Sequence, residues 1–318
     1  MISSVEVVSP AHAVVGSSDS SLALVSLPPH GTNARDLFSP RARFPQKCSV
    51  APVSALSFNP TASALFASAQ TTVSVWDVVK QAKLASCRLS SPDSALAGAW
   101  LSPTLAASAG SGCGVSFWDT RAGARKVHWA KVARDNLYFV ARGENGVFCG
   151  GGDGVVHHVD VRNNLHEELR FGDFSAIVGM NTSAGGDQVV VVFETGDVRV
   201  AAKNASVVEF SGVGMAAKSR IGCAVDKEMV AVGTEDGKVM VWKNGDRMES
   251  LEFGSSAVSG LEFCGDDIVA VDEHALGSGF AAITTNEAPS QNTKVSNTRG
   301  LQTVNIKSLE RFPVLAPS

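Results

Sequence analysis

The chain has 318 residues, 44% apolar and 18% charged, with a net charge of −4. That is enough apolar material for a sizeable core, and no Lys/Arg run supplies the clustered cations that direct nucleic-acid binding needs. The longest apolar runs, such as residues 189–193, are far too short to span a bilayer, so no membrane insertion is expected.

The chain opens on VEVVSP, an alternating strand ending at Pro10, then VVGSSDSSLALVS, two strands around a polar turn. A longer loop follows Pro28-Pro29-His30-Gly31. It leads to the one mildly basic stretch, with Arg35, Arg41, Arg43 and Lys47, read as a solvated outer strand protected by charge. Residues 52–91 hold four strand-like segments, VSALSFNP, ALFASAQ, TVSVWD and KLASCRL. Residues 94–132 repeat that order through AWLSP, LAASAGSGCGVSFWD and KVHWAKV, whose Trp129 is expected to pack between units. Residues 135–171 give LYFVAR, GVFCGGG, VVHHVDVR and EELRF. His157 and His158 are neighbours on one strand, so they point to opposite faces and are not expected to hold one ion. VVVVF and DVRVAA mark residues 174–210, and MVAVGTEDGKVMVW marks 213–253. The last unit, from 256, has VSGLEFC, DIVAVDE and GSGFAAITT, then a polar loop over 286–300. LQTVNIKSL is the final strand-like segment, and 311–318 form a short tail.

These segments repeat. A turn glycine precedes a strand at Gly112, Gly154, Gly196, Gly237 and Gly279, spaced by 42, 42, 41 and 42 residues. The glycines of the third unit's turn, Gly110, Gly112 and Gly114, allow the positive φ values of a tight hairpin. Trp76-Asp77 stands 42 residues before Trp118-Asp119, and strands end in proline at Pro10, Pro60 and Pro103. Seven units result, a number and period that signal a repeat architecture.

With Trp76-Asp77, Trp118-Asp119, Trp242, Asp153-Gly154 and Asp236-Gly237 at matching places, the chain resembles the WD-repeat β-propellers. The likeness runs over nearly the whole chain. It lacks the family's Gly-His dipeptide, and only two units keep an intact Trp-Asp pair. The resemblance implies an all-β fold: a seven-bladed propeller of four-stranded antiparallel blades over residues 1–310. The blades run at about 2–48, 52–91, 94–132, 135–171, 174–210, 213–253 and 256–309. Because Pro10 aligns with Pro60, residues 2–8 are already the first strand of the first blade. The C-terminal strand, residues 301–309, is therefore expected to complete the last blade as its fourth strand.

No catalytic constellation stands out, and no cofactor or metal set is expected. Gly150-Gly151-Gly152-Asp153-Gly154 opens no helix and lacks a phosphate-binding dipole. Cys48, Cys87, Cys113, Cys149, Cys223 and Cys264 show no metal-ligand spacing and are read as small apolar residues. The first residues are strand-like and the first cation is Arg35, so no targeting segment is expected and the cytoplasm or nucleus is the expected location. The family resemblance implies a non-enzymatic scaffold that binds proteins or peptides at a propeller face or rim, as a subunit of a multiprotein complex. Small adaptors of the mitotic checkpoint and mRNA export, and propeller subunits of the nuclear pore, are similarly almost all propeller. A second reading rests on Trp118-Asp119-Thr120-Arg121. This W-D-x-R sequence resembles the box by which WD-repeat substrate receptors dock on the adaptor of a cullin-RING ubiquitin ligase, and Val159-Asp160-Val161-Arg162 is a degraded copy one unit on. Trp118, Asp119, Arg121, Asp160 and Arg162 are its candidate partner-binding residues. A third reading is an enzyme with a site at the channel mouth.

Overall fold

The computed structural model describes residues 2–9, 12–26, 40–59, 63–90, 93–121, 123–160, 162–163, 165–171, 175–202, 207–210, 220–227, 229–243, 246–252, 257–264, 267–272, 284–285 and 301–305. The turn glycine Gly279, the polar loop 286–300 and the tail 311–318 lie outside them. Among the described residues every regular element is a strand, and the strands form seven four-stranded sheets.

The first sheet is β1 (Ile2–Ser9), β2 (His12–Ser17), β3 (Leu22–Ser26) and β4 (Pro40–Arg43). The second is β5 (Ala55–Phe58), β6 (Ala64–Ala69), β7 (Thr72–Asp77) and β8 (Ala82–Arg88). The third is β9 (Ala97–Ser102), β10 (Leu105–Ala109), β11 (Gly114–Asp119) and β12 (Arg125–Lys131). The fourth is β13 (Leu137–Arg142), β14 (Val147–Gly151), β15 (Val156–Asp160) and β16 (Leu165–Leu169). β17 (Ile177–Thr182), β18 (Gln188–Phe193), β19 (Val198–Ala202) and β20 (Val208–Phe210) make the fifth. β21 (Cys223–Asp226), β22 (Met229–Gly233), β23 (Lys238–Lys243) and β24 (Asp246–Glu252) make the sixth. The seventh holds β25 (Val258–Cys264), β26 (Asp267–Asp272), β27 (Thr284–Thr285) and β28 (Leu301–Asn305).

In the first six sheets strands pair in sequence order and antiparallel. The innermost strands touch one another in turn, β1 to β5, β9, β13, β17, β21 and β25, and β25 returns to β1. The sheets therefore stand face to face around a ring. That stacking explains the burial pattern. The middle strands are covered on both faces and read as near-continuous small and branched apolar runs, such as Val189 to Phe193, all buried. Outer strands alternate or are mostly exposed, as in β8 and β16. Trp76, Trp118 and Trp242 are fully buried at equivalent places between sheets. Each side chain hides ~150–250 Å², roughly 4–6 kcal/mol at about 25 cal/mol per Å². Phe44 meets Trp76 edge-on at 5.6 Å between the first and second sheets, and Phe210 meets Trp242 at 5.6 Å between the fifth and sixth.

The turns between second and third strands all contain one left-handed residue in the first six sheets. In three of them it is the repeating turn glycine: Gly154, Gly196 and Gly237. In the third sheet it is Cys113 (φ 57), not Gly112. A Cβ at Gly112 would lie 2.5 Å from Asp93 Oδ1, so a side chain there would displace the carboxylate that pairs with Lys126. Ser20 (φ 67) and Gln70 (φ 43) fill the same turn in the first two sheets.

The C-terminal strand does complete the last sheet, but at a different position. β28 pairs antiparallel with β26 as the third strand, and Thr284–Thr285 lies parallel to it at the outer edge. The segment expected to be third, residues 277–285, carries Gly277 and Gly279, which weaken a strand interior. Leu301–Asn305 contains no glycine and takes the place beside β26.

Candidate interaction surface

Trp118 ends a fully buried run on β11, and its indole Nε1 donates to Ser108 Oγ on β10 at 2.9 Å. It is a core residue. Asp119 is the last residue of β11, and Arg121 lies at the turn that follows. The Arg121 guanidinium donates to both Asp119 oxygens, at 3.1 and 2.8 Å, and the Arg121 backbone N–H donates to the same carboxylate. The next sheet repeats the device. Arg162 donates through its backbone and side chain to Asp160, and also reaches Asn145 Oδ1 at 2.8 Å. Hydrogen bonding from Arg162 holds the Asp160 carboxyl below the usual carboxylate range. The structure thus places Arg121 and Arg162 at matching turns of successive sheets, both largely exposed. Each is folded back on the Asp two residues before it.

β12 is the free edge of the third sheet. Val127 (53% exposed) and Trp129 (41% exposed) stand two residues apart on it, Val127 as the extra residue of a bulge between the pairs Trp118–Lys126 and Phe117–His128. Trp129 does not sit wholly between sheets as expected from the sequence. Its ring lies over Gly114, where a Cβ would come within 2.8 Å of the indole. A side chain at this position would also meet the Ala130 carbonyl oxygen at 2.7 Å, so only glycine leaves room beside the part-exposed ring. Arg125, Lys126 and Lys131 flank the pair on the same strand, and all are exposed. The same sequence that makes a good strand therefore leaves an apolar pair within a basic edge.

The register of the fourth sheet gathers a group that sequence spacing did not reveal. His157 on β15 faces Glu168 on β16, and His166 is two residues from Glu168 on the same face. His157 Nδ1 lies 3.1 Å from His166 Nε2, and His157 Nε2 lies 3.0 Å from Asp153 Oδ2. His157 is buried at 2% exposure, whereas His166 and Glu168 are exposed. His158 points to the other face, toward Glu167, as the alternation requires. Burial, then the neighbouring His157, lowers the basicity of His166.

No family model matches the sequence, and no curated protein matches it. The fold, however, matches solved structures. The crystal structure of RRP9 WD40 repeats superposes with a TM-score of 0.71 at 16% identity, covering 88% of this chain and 90% of that one. The structure of U3-55K superposes with a TM-score of 0.70, also at 16% identity, covering 88% and 91%. The chain folds as a WD-repeat β-propeller. At 16% identity the likeness is one of fold.

Within the propeller, the seven innermost strands surround a central channel. Arg220 stands just before β21 of the sixth blade. Its guanidinium lies 4.9 Å from the Phe139 ring of the fourth blade and 3.4 Å from the Ser54 carbonyl oxygen beside the second. The third and fifth blades lie between those three around the ring, so Arg220 reaches across the channel rather than along its wall. Other ties run strand to strand around the wall. Phe58 N–H donates to Glu6, Trp100 N–H to Ser57 Oγ, Asn181 Nδ2 to the Cys223 carbonyl, and Gly222 N–H to the Val258 carbonyl. Cys48, Cys149 and Cys223 are free and buried, and burial pushes the Cys48 and Cys223 thiols up to about 12. Thiols so hard to ionise pack as apolar groups and are poor nucleophiles.

Proposed function

We propose that this propeller is a non-enzymatic interaction scaffold, a subunit of a multiprotein complex in the cytoplasm or nucleus, and that the outer edge of the third blade is a docking surface. One observation carries this reading: Val127 and Trp129 stand exposed two residues apart on the free backbone edge of β12. Exposed edges are normally blunted, because their unpaired N–H and C=O groups invite another strand. An extended segment added there would gain ladder hydrogen bonds, and Trp is a frequent anchor of binding energy. Arg125, Lys126 and Lys131 favour an acidic segment.

The ligase-receptor reading draws support from the matching exposure of Arg121 and Arg162 on successive blades. Against it, both guanidinium groups brace their own turns. Affinity purification with mass spectrometry separates the readings, using wild type, Val127→Glu/Trp129→Ala and Arg121→Ala/Arg162→Ala. The scaffold reading expects a stoichiometric partner lost with the β12 variant and kept with the arginine variant. A ligase adaptor lost only with the arginine variant moves the assignment to a substrate receptor. No stoichiometric partner with any of the three proteins removes the scaffold reading.

A further inference from the structure

The geometry points to a site for a borderline divalent metal ion, with Zn2+ as the type, on the β15–β16 hairpin of the fourth blade. Its ligands are His157 Nδ1, His166 Nε2 and a carboxylate oxygen of Glu168, which lie within 4.8 Å of one another. The two imidazole nitrogens are 3.1 Å apart. Two nitrogens each about 2.0–2.1 Å from a tetrahedral zinc stand about 3.3 Å apart, so the pair already spans nearly one edge of the coordination tetrahedron. Glu168 comes from directly opposite His157 in the strand register and closes the set by side-chain rotation.

His157 is also held as a ligand should be. Its Nε2 faces Asp153 Oδ2 at 3.0 Å. Asp153 is itself fixed by the backbone N–H groups of Arg134, at 3.1 Å, and Val155, at 3.2 Å. A carboxylate on the far ring nitrogen fixes the tautomer with the proton on Nε2 and leaves the Nδ1 lone pair for a metal. Without an ion, His166 donates its Nε2–H to that lone pair. Binding moves the His166 proton to its own Nδ1, so both nitrogens offer lone pairs to the ion and no proton is released. Arg170 donates to Glu168 Oε2 at 3.1 Å, which orients the carboxylate and uses one of its two oxygens.

Two imidazoles and one carboxylate suit zinc and its transition-metal neighbours. Mg2+ and Ca2+ demand oxygen ligands. Three protein ligands leave a fourth position, and the exposure of His166 and Glu168 opens it to water or to a donor from another molecule. An ion here would pin the outer strand β16, exposed from residue 165 to 168, to the buried β15.

The test is isothermal titration calorimetry of the tag-free full chain with ZnCl2, and with MgCl2 as the contrast. The expected result is one saturable Zn2+ per chain and none for Mg2+. His166→Ala, at an exposed position, weakens Zn2+ binding by at least about tenfold and keeps the metal-free melting temperature. Asp153→Asn, which weakens the carboxylate behind His157, costs about 10–100-fold in affinity. Glu168→Gln, also exposed, provides an independent ligand variant with a loss of about tenfold or more. Absence of saturable Zn2+ binding in the wild type overturns the site. So does unchanged affinity in His166→Ala, which would put the ion on the cysteines.

Discussion

Trp118 and Arg121 are three residues apart and act in opposite ways. Trp118 is fully buried and spends its one donor on Ser108. Trp118→Ala leaves a large cavity and an orphaned hydroxyl, so urea denaturation should show a loss of about 3–5 kcal/mol. Ser108→Ala strands the indole N–H instead and should cost about 1–3 kcal/mol. Arg121→Ala removes only an exposed guanidinium from a half-buried carboxylate, and the melting temperature should not change. A fall as large as that of Ser108→Ala would show that the turn pair supports the blade. Trp118, Asp119 and Asp160 close strands, and Arg121 and Arg162 fall in the turns just beyond them. The sequence reading could not see that Arg121 and Arg162 fold back on Asp119 and Asp160, since that depends on the turn backbone. His166 and Glu168 were invisible for a related reason. They lie nine and eleven residues beyond His157, and only the β15–β16 register brings them together.

At the level of elements, hairpins were the legible unit. Apolar patterning and a turn every few residues located the strands of the first four blades and the middle hairpins of the fifth and sixth, because side-chain direction alternates with a period of two. The turns were less legible where a non-glycine residue takes the left-handed conformation, as Ser20, Gln70 and Cys113 do. The last blade defeated local reading, since its third strand arrives after a long excursion. β28 covers the edge of β26, setting Val304 opposite Ile268, which is fully buried. Deleting residues 300–318 leaves β26 with a bare edge, so differential scanning calorimetry should show a clearly lower melting temperature. An unchanged transition would mean that the last blade closes without β28.

For the whole molecule, the critical place is the seam where the chain's first blade meets its last. Glu6 on β1 and Glu262 on β25 face each other across it. Burial, and then the charge of Glu262, push the Glu6 carboxyl well above the usual carboxylate range, and the Phe58 N–H donated at 3.3 Å only partly opposes this. A raised folded-state value means that the folded ring binds more protons than the unfolded chain between the two values. Stability from Glu6 is therefore fully present below the unfolded value of about 4.3 and is lost as pH rises through the folded one. Asp160, Glu168 and Asp236 shift the opposite way, through hydrogen bonds to Arg162, Arg170 and Lys238, so they gain stability as pH rises at the acidic end. Comparing wild type with Glu6→Gln cancels them. The substituted amide keeps an acceptor for the Phe58 N–H and carries no charge at any pH. Thermal unfolding from about pH 5 to about pH 8 should then show the wild type losing ground steadily to Glu6→Gln, with the variant the more stable protein at the alkaline end. A constant difference across that range would mean that the two carboxylates are not linked to ring closure. A growing difference would identify a proton held between the first and last blades as part of what closes the propeller.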